Sequence, residues 1–412
     1  MPATRLFSAP TPSIGRSKYV LVGGQNGTWF VDGQWPRLER VDLDDYSVSA
    51  LTPVTSVGTV WGGGWNGSQW LISGWGSDDA SSGPYIFTYD GAHVVAEHSL
   101  DHYGNASSWN GGDVFAASYN GKEWLLSGLG SGNLTSYHNE DSINHMALSI
   151  FNGNNFTDLS ASVPNQMDQI LYTNSWNGHY WLVGGGYMDL GVLFSFDGTK
   201  IIDLTDQIAQ AVPDFGSVQA LGWNGDYWLI GGENFLAAYD GYKFTDLTNR
   251  LDSVLASNGC CTPVNAIAWN GAEWMIGGGT PVAQTDYSRA WLVSYSSLRF
   301  VNLTPKINPA GAQFIPNSSI LAITAASNSW VIGGYLNNKG LLYEYSGGSF
   351  TNLSGLVSSF TYVNWVGGIA AQNQAQPFPP THNHAFPESR MSRSQYTGWV
   401  ADTLRSNEDY FN

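Results

Sequence analysis

The sequence predicts an all-β fold of seven four-stranded antiparallel sheets arranged around an axis, a seven-bladed β-propeller, and three observations support this. A Trp-Asn-Gly tripeptide followed by another Trp recurs at roughly 45 to 58 residues, a period typical of propeller blades and solenoids. Short apolar runs alternate with tight-turn dipeptides. No long segment keeps a helical period. The full copies begin at Trp65, Trp176, Trp223 and Trp269, with variants at Tyr119 and Ser329.

Each repeat is predicted to form four strands. In residues 216–248, one apolar run leads to Asn224-Gly225, a second ends at Gly231-Gly232, a third ends at Asp240-Gly241, and a fourth follows. Asn-Gly and Asp-Gly between such runs favour type I′ turns, in which both central residues have positive φ. The Trp of each second strand is expected to pack between neighbouring sheets. The paired glycines that follow it are expected to permit close backbone approach.

The ring is predicted to close through its first blade. Six complete units begin near Val57, Gly112, Gln169, Gly216, Pro263 and Ser319. The first blade is expected to have its second, third and fourth strands at 18–24, 28–31 and 38–43. Its inner strand is supplied by residues 363–373, which align with 263–270 when Ile369 is set on Ile267. Such closure removes the open edges of a linear stack.

These boundaries predict one propeller domain. The domain spans residues 18–373, after an N-terminal extension at 1–17. Residues 374–412 form a Pro-rich linker and a C-terminal tail, in which Ser392–Phe411 is the only segment with helical character. The tail is expected either to lie on the propeller or to serve as a docking arm for self-assembly.

The repeat resembles the kelch repeat of kelch-like and galactose-oxidase-like propellers, over about residues 18–373. The shared features are Gly-Gly after the second strand and an apolar third strand that ends in Tyr-Asp or a similar pair. The fourth strands depart from the kelch pattern, which usually has Trp where this chain has Phe156, Phe244, Phe300 and Phe350. The resemblance implies a platform for binding more often than an enzyme. It does not imply galactose oxidase activity. That enzyme needs a copper site with a cysteine crosslinked to a tyrosine, and the only two cysteines of this chain are adjacent to each other.

Composition limits the partners. The net charge is −17 although only 12% of residues are charged, so the acidity comes from the scarcity of Lys and Arg. A nucleic-acid partner would need a basic stripe, which is absent. No apolar run approaches 18 residues, so membrane insertion is not expected. Residues 1–17 lack the apolar centre of a secretory signal, yet low charge with abundant Gly, Ser, Asn, Trp and Tyr favours an extracellular or cell-surface location.

Two kinds of modification site fit an extracellular location. Cys260 and Cys261 can form a vicinal disulfide or remain as two loop thiols. Asn-X-Ser/Thr sequons, the acceptors for N-glycosylation, occur at Asn26, Asn66, Asn105, Asn133, Asn155, Asn302, Asn317 and Asn352.

Ligand-binding residues are expected in the long connections. The second-to-third and blade-to-blade connections share one face and carry all the length variation, and loops on a rigid scaffold commonly carry binding. Carboxylates interleaved with aromatic rings suit a sugar, and the same oxygens could bind Ca²⁺. No other metal site and no cofactor are expected. The candidates are Trp75, Asp78, Asp79, His102, Tyr137, Glu140, Asp141, Tyr187, Glu233, Asp286 and Tyr287.

Three functions are consistent with these features. The first is a non-catalytic, exported or surface-displayed propeller that recognises a glycan or a protein through its long-loop face. The second is a carbohydrate-active lyase or glycoside hydrolase, although no pair of loop carboxylates stands out as the acid and base that hydrolysis needs. The third is a structural subunit of a surface layer, filament or virion.

Overall fold

Seven four-stranded antiparallel sheets form a ring, as predicted. A computed structural model describes residues 19–26, 35–51, 57–77, 82–100, 109, 112–131, 144–164, 169–187, 190–255, 263–279, 289–307, 315–326 and 329–368. Each sheet is one blade, and its innermost strand runs beside the inner strands of the two neighbouring blades. Blades are numbered here from the start of the chain.

The first four blades have the following strands. Blade 1 contains β1 (Tyr19–Asn26), β2 (Trp35–Asp42) and β3 (Val48–Ala50). Blade 2 contains β4 (Val57–Trp65), β5 (Trp70–Ser77), β6 (Ser82–Tyr89) and β7 (Val94–Ser99). Blade 3 contains β8 (Asp113–Tyr119), β9 (Trp124–Ser131), β10 (Asn144–Phe151) and β11 (Phe156–Asp158). Blade 4 contains β12 (Ile170–Trp176), β13 (Trp181–Tyr187), β14 (Leu190–Phe196) and β15 (Ile201–Asp203).

The remaining strands complete the ring. Blade 5 contains β16 (Val218–Trp223), β17 (Trp228–Gly232), β18 (Phe235–Tyr239) and β19 (Phe244–Asp246). Blade 6 contains β20 (Val264–Trp269), β21 (Trp274–Gly278), β22 (Arg289–Ser296) and β23 (Arg299–Asn302), and the short β24 (Ile315–Pro316) pairs with β22. Blade 7 contains β25 (Ser318–Ala326), β26 (Ser329–Leu336), β27 (Lys339–Ser346) and β28 (Ser349–Asn352). The last strand, β29 (Tyr362–Gly368), returns to blade 1.

The split first blade is confirmed, but the predicted register was wrong by three residues: the bulged Asn364 corresponds to Asn265, so Val366 rather than Ile369 corresponds to Ile267. Strand β29 pairs antiparallel with β1, with Val20 opposite Gly368 and Val22 opposite Val366. The predicted third and fourth strands of this blade were wrong. The third strand is β2 and contains most of the segment assigned to the fourth, while the fourth is β3; residues 28–31 lie outside the described part of the chain. Pro36 and the charged residues that follow it concealed an interior strand, because Pro and charge are typical of edges.

The Asn-Gly turns differ from the predicted type I′ geometry. Gly67 has φ of +101°, whereas Asn66 is not among the described residues with positive φ. The Asn66 side chain accepts hydrogen bonds from the backbone N–H groups of Ser68 (2.9 Å) and Gln69 (2.8 Å), so it forms an Asx turn. Asp197 and Asp240 make the same pair of bonds in the third-to-fourth turns. Among the described residues, positive φ at two successive residues occurs instead at Ser297-Leu298, Asn337-Asn338 and Gly347-Gly348.

The blades stack through apolar contacts between strands of neighbouring sheets. Each second-strand Trp is buried, as predicted; Trp228 of blade 5, for example, clusters with Leu182 and Leu193 of blade 4. At the Gly-Gly pairs, an apolar residue of the next inner strand fills the space above the first glycine. A Cβ on Gly277 would lie 2.6 Å from the Cγ2 atom of Ile320. The equivalent contacts join Gly23 to Val60, Gly184 to Val218, Gly231 to Val264 and Gly333 to Val363.

Short helices follow several outer strands, which the sequence analysis did not anticipate. They are α1 (Thr205–Ala211), α2 (Thr248–Leu255) and α3 (Thr304–Ile307), with a 3-10 turn at Ser160–Ser162. Each begins in an Asp/Asn-Leu-Ser/Thr motif, and hydrogen bonds from this motif connect the end of the outer strand to the third strand. In blade 5, the backbone N–H of Leu247 donates to the Leu236 carbonyl (2.8 Å), and the Leu236 N–H donates to the Thr248 hydroxyl (3.1 Å). Among the described residues, no helix is long and apolar enough to cross a membrane.

Removal of β29 is expected to destabilise the whole propeller. A chain that ends at Phe360 loses Val363 and Val366, both buried against blade 7, and leaves β1 as an open edge. Thermal melting followed by circular dichroism should show a lower midpoint temperature, which corresponds to a loss of several kcal/mol in the free energy of unfolding. A complete loss of the cooperative transition is the stronger form of the same result. A chain that ends at Asn373 is the matched control and should melt like the full chain. Equal melting of both truncated chains would contradict the closure.

Gly277→Ala is expected to lower the free energy of unfolding by about 1–3 kcal/mol, because the new methyl group overlaps Ile320 of the next blade. Gly355→Ala is the control, since a Cβ there meets no atom within 4 Å. Urea unfolding measures both. In the double variant Gly277→Ala/Ile320→Ala the losses should be less than additive. Additive losses would show that the two residues do not share this contact.

Candidate functional site

Every inner strand contains one bulged residue. In blade 2, Val60 lies opposite Gly74 and Gly62 opposite Ser73, so Trp61 is the extra residue of the bulge. A β-bulge of this kind redirects one side chain and bends the strand. The bulged residues are Trp61, Phe115, Tyr172, Gln219, Asn265, Leu321 and Asn364.

The second residue of each Gly-Gly pair, which is also glycine in the Ser-Gly pairs of blades 2 and 3, permits the bulge. A Cβ on Gly74 would overlap the backbone oxygen of Thr59, two residues before the bulged Trp61. Gly334 stands in the same relation to the oxygen of Ser319, 2.0 Å from where its Cβ would lie, and every blade repeats this arrangement. Any side chain here would push the inner strand away. The Gly-Gly signature therefore serves the channel as well as the stacking of blades.

All seven bulged residues line a central channel with a volume of about 320 Å³. They lie within the first five residues of their strands, at the end of the channel where the inner strands begin. The second-to-third and blade-to-blade connections lie at this end, which we call the long-loop end. The volume is at the lower limit of the range typical of small-molecule sites.

The ring of bulged residues has two unlike halves. On three consecutive blades it is aromatic: the ring centroids of Trp61 and Phe115 are 5.3 Å apart, and those of Phe115 and Tyr172 are 5.5 Å apart. All three side chains are partly exposed. We call them the aromatic arc. The other four blades contribute Gln219, Asn265, Leu321 and Asn364, so three of these four residues are amides.

Hydrogen bonds fix polar side chains on both halves. The Asn265 amide nitrogen donates to the Gly279 carbonyl (2.8 Å), the Ser319 hydroxyl (2.9 Å) and the Ile320 carbonyl (3.1 Å), which binds blade 6 to blade 7. Below the aromatic arc, the Asn174 amide nitrogen donates to the Ser127 hydroxyl at 2.7 Å. Polar groups held in this way are preorganised for a ligand.

A buried carboxyl supports the aromatic arc. The indole N–H of Trp61 donates to Asp113 Oδ1 at 3.1 Å, and Asp113 is 4% exposed. Burial raises the pKa of Asp113 to about 7, and the hydrogen bond from Trp61 opposes this rise. Asp113 is not one of the channel-lining residues, so it lies behind the arc rather than in it.

The described lining of the channel is uncharged. It contains Gly, Ala, Ser, Thr, Asn, Gln, aliphatic and aromatic residues, and no Asp, Glu, Lys, Arg or His. A phosphate or carboxylate ligand would require a cationic partner, and a cation would require carboxylates. The channel therefore suits a neutral ligand that offers both apolar surface and hydroxyl groups.

Two of the predicted candidates lie near enough to Tyr172 to affect its pKa. Burial raises the pKa of Tyr172 to about 12, and the nearby Tyr187 and Glu233 add to the rise electrostatically. Tyr187 ends β13 and is 46% exposed. Glu233 follows β17, where its backbone N–H donates to the Ser217 carbonyl at 2.9 Å. Both extend the site from Tyr172 towards the rim of blades 4 and 5.

Of the other ligand-binding candidates, only Trp75 belongs to the described residues, and it does not line the channel. Trp75 is half-buried in β5, with its backbone opposite Thr59 and Pro84. Within the described ranges, no three His, Cys, Asp or Glu side chains lie close enough to hold a metal ion. The residues outside the described part of the chain are Asp78, Asp79, His102, Tyr137, Glu140, Asp141, Asp286, Tyr287, Cys260, Cys261, Asn105, Asn133 and the tail 374–412.

Several sequons have a structural use. Asn302 and Asn352 occupy the Asp/Asn-Leu-Ser/Thr motif, where the Asn302 side chain accepts from the Thr304 N–H at 2.9 Å and Thr304 is fully buried. Asn66 belongs to an Asx turn. Asn155 and Asn317 are exposed, and the Asn26 side chain lies outside the described residues. Glycosylation at these positions stays a prediction.

The ring of bulged residues was not predicted from the sequence, although the sequence contains a signal for it. Each inner strand reads as an apolar residue, then the bulged residue, and in most blades then a small one: Val60-Trp61-Gly62, Val114-Phe115-Ala116, Val218-Gln219-Ala220, Val264-Asn265-Ala266 and Ile320-Leu321-Ala322. An aligned comparison of the repeats at this position would have revealed one variable residue between two constrained ones.

The comparisons with known proteins concern the fold. No protein-family model and no curated protein matches the chain. It is similar to the structure of an acylaminoacyl peptidase in complex with Z-Gly-Gly-Phe-chloromethyl ketone, with a TM-score of 0.50 and 11% identity over 83% of this chain and 52% of that chain. This chain therefore spans about half the length of the peptidase chain.

Two further similarities are to structures that this chain spans almost fully. One is the β-propeller domain of the Trilobed protease from Pyrococcus furiosus, with a TM-score of 0.48 and 10% identity over 82% of this chain and 92% of that chain. The other is a protein from Lactobacillus plantarum, with a TM-score of 0.48 and 11% identity over 85% of this chain and 99% of that chain. Identities this low show the propeller fold alone, and the kelch assignment stays a prediction.

Asp113→Asn is expected to flatten the pH dependence of stability. Between about pH 4 and 7 the folded state holds a proton that the unfolded state has lost, so the free energy of unfolding falls as pH rises, by about 4 kcal/mol in total. Urea unfolding at pH 5.5 and 8.5 measures the slope. Asp197→Asn is the control, because hydrogen bonds lower the pKa of Asp197 and it does not titrate in this range. Parallel slopes in wild type and Asp113→Asn would contradict the assignment.

Proposed function

We propose that this chain is a non-catalytic binding propeller whose ligand is a glycan that enters the channel from the long-loop end. One observation carries the proposal: the uncharged ring of bulged residues places an aromatic arc on three blades opposite amide side chains on the others. The sequence features alone predict a site in the loops of this face, and the ring of bulged residues lies at the base of those loops.

The chemistry of a sugar fits both halves of the ring. One face of a pyranose presents C–H groups, which pack on the faces of Trp, Tyr and Phe. Its hydroxyl groups both donate and accept, as the amides of Gln219 and Asn364 also do. Ligand sites of this kind combine mostly apolar and aromatic walls with a few fixed polar groups. A protein ligand offering a basic side chain would find no carboxylate in the described lining.

The wider setting of the protein is proposed from its composition and from the kelch resemblance. The kelch resemblance favours binding over catalysis, because kelch-like propellers mostly serve as platforms. Low charge and the aromatic, Asn-rich composition favour an extracellular or cell-surface location. We place the function there without a metal or cofactor, and self-assembly through the tail stays a separate prediction.

A carbohydrate-active enzyme is the second candidate, and one observation favours it. A carboxyl with a pKa near 7 beside the channel has the property of a general acid. Its position argues against this role, because Asp113 is almost fully buried and its side chain contacts the Trp61 indole. Release of reducing sugars from bound glycans would support the enzyme, and binding without release would support the propeller as a receptor.

Tyr172→Ala and Phe115→Ala are each expected to weaken glycan binding by about tenfold or more, because each removes an aromatic wall of the site. A glycan array selects the ligand, and isothermal titration calorimetry measures its dissociation constant. Tyr242→Ala is the matched control, since Tyr242 is 83% exposed in a third-to-fourth turn at the opposite end of the propeller. Absence of glycan binding, or equal binding by all three variants and wild type, would refute the proposal.

A further inference from the structure

We propose that the site recognises the terminal unit of a neutral glycan chain and excludes units within a chain. This inference rests on the proposed function and concerns how the ligand must enter. It follows from the shape of the channel wall, from the depth of the lining and from the side chains at the rim.

The channel wall is closed on all sides. Residues from all seven inner strands line it, and each inner strand packs beside the next: β4 beside β8, then β12, β16, β20, β25, β29 and again β4. The pairing of β29 with β1 leaves no gap at the junction of the chain ends. An open groove admits a polymer sideways. A closed ring of strands admits it only along the axis, and therefore only by an end.

The lining extends well below the ring of bulged residues. In the three blades of the aromatic arc it continues from Trp61 to Trp65, from Phe115 to Tyr119 and from Tyr172 to Trp176. Four residues of extended strand correspond to about 13 Å. A ligand that contacts the ring therefore has its leading unit surrounded by protein. A sugar with chain attached on both sides would have to carry one of those chains through the channel.

Exposed side chains at the rim of the channel offer a contact for the next units of the glycan chain. Tyr187, 46% exposed, lies near Tyr172, and Leu190 on the neighbouring strand is 65% exposed. These side chains offer apolar surface at the long-loop end, outside the channel. A second sugar unit can therefore pack on Tyr187 while the terminal unit occupies the aromatic arc.

The test compares linear glycans with ligands that lack a free end. Probes are malto-, cello- and chito-oligosaccharides of one to six units, with α-cyclodextrin as the endless counterpart of maltohexaose. The hexamer that binds best is then prepared with a bulky dye at either terminus. Blocking one terminus should weaken binding at least 100-fold, blocking the other should change it less than threefold, and α-cyclodextrin should not bind. Binding of α-cyclodextrin, or insensitivity to both dyes, would overturn the inference.

A variant at the rim separates this inference from the proposed function. Tyr187→Ala should remove the gain in affinity that wild type shows for two units over one, about five- to tenfold, whereas Tyr242→Ala should retain that gain. Equal gains in Tyr187→Ala and wild type would overturn the assignment of the rim, with glycan binding intact. If no glycan binds, either on the array or among the linear probes, the proposed function fails, and terminal recognition fails with it.

Discussion

The structure depends on the contact between the paired glycines, present on the second strands of five blades, and the inner strands around them. The first glycine leaves room for a Val or Ile of the next blade, and the second leaves room for a carbonyl oxygen of its own inner strand. A methyl group on either glycine would fill the space that this glycine leaves open. The contact thus sets the distance between blades and the path of the inner strand at once, and interiors this close-packed tolerate little change in volume.

This constraint also produces the channel. Because the inner strand approaches its neighbour so closely, it accommodates one extra residue as a bulge, and the side chain of that residue lines the channel. The repeat fixes the backbone at these seven positions but does not fix which type of residue occupies them. A sevenfold scaffold can therefore carry a site without sevenfold symmetry. Blades 2 and 3 show a related departure, with Ser73 and Ser127 in place of the first glycine, and Ser127 accepts a hydrogen bond from Asn174 of blade 4.

Most of the architecture could be predicted from the sequence, because blade period, turn residues and second-strand Trp are local and repeated. The number of blades and the closure by residues near 363–368 followed from alignment of the repeats. The first blade was predicted less well, since Pro36 and its charged neighbours conceal an interior strand. The short helices were missed because α1, α2 and α3 have at most eight residues and no sustained period.

The site was predictable only in part. Tyr187 and Glu233 were selected as loop residues and do lie near Tyr172, but the ring residues belong to strands, where a single extra residue disturbs the alternation on which strand prediction relies. Asp113 was not selected, because one carboxyl at the start of a strand has no local feature that reveals its burial. Its raised pKa arises from burial in the folded chain, and its hydrogen-bond partner Trp61 is 52 residues away in sequence.

The Asx turns affect how this molecule ages. Asn-Gly is the dipeptide most prone to lose its amide, and the chain carries it at turn after turn. In this fold, however, the turn requires only a side-chain oxygen that accepts hydrogen bonds from two backbone N–H groups. Carboxylate oxygens do so in the equivalent turns at Asp90, Asp197 and Asp240. Conversion of Asn66 or Asn270 to aspartate would therefore keep the hairpin intact and only add negative charge. Damage would come from the isoaspartyl product, whose longer backbone no longer fits the turn.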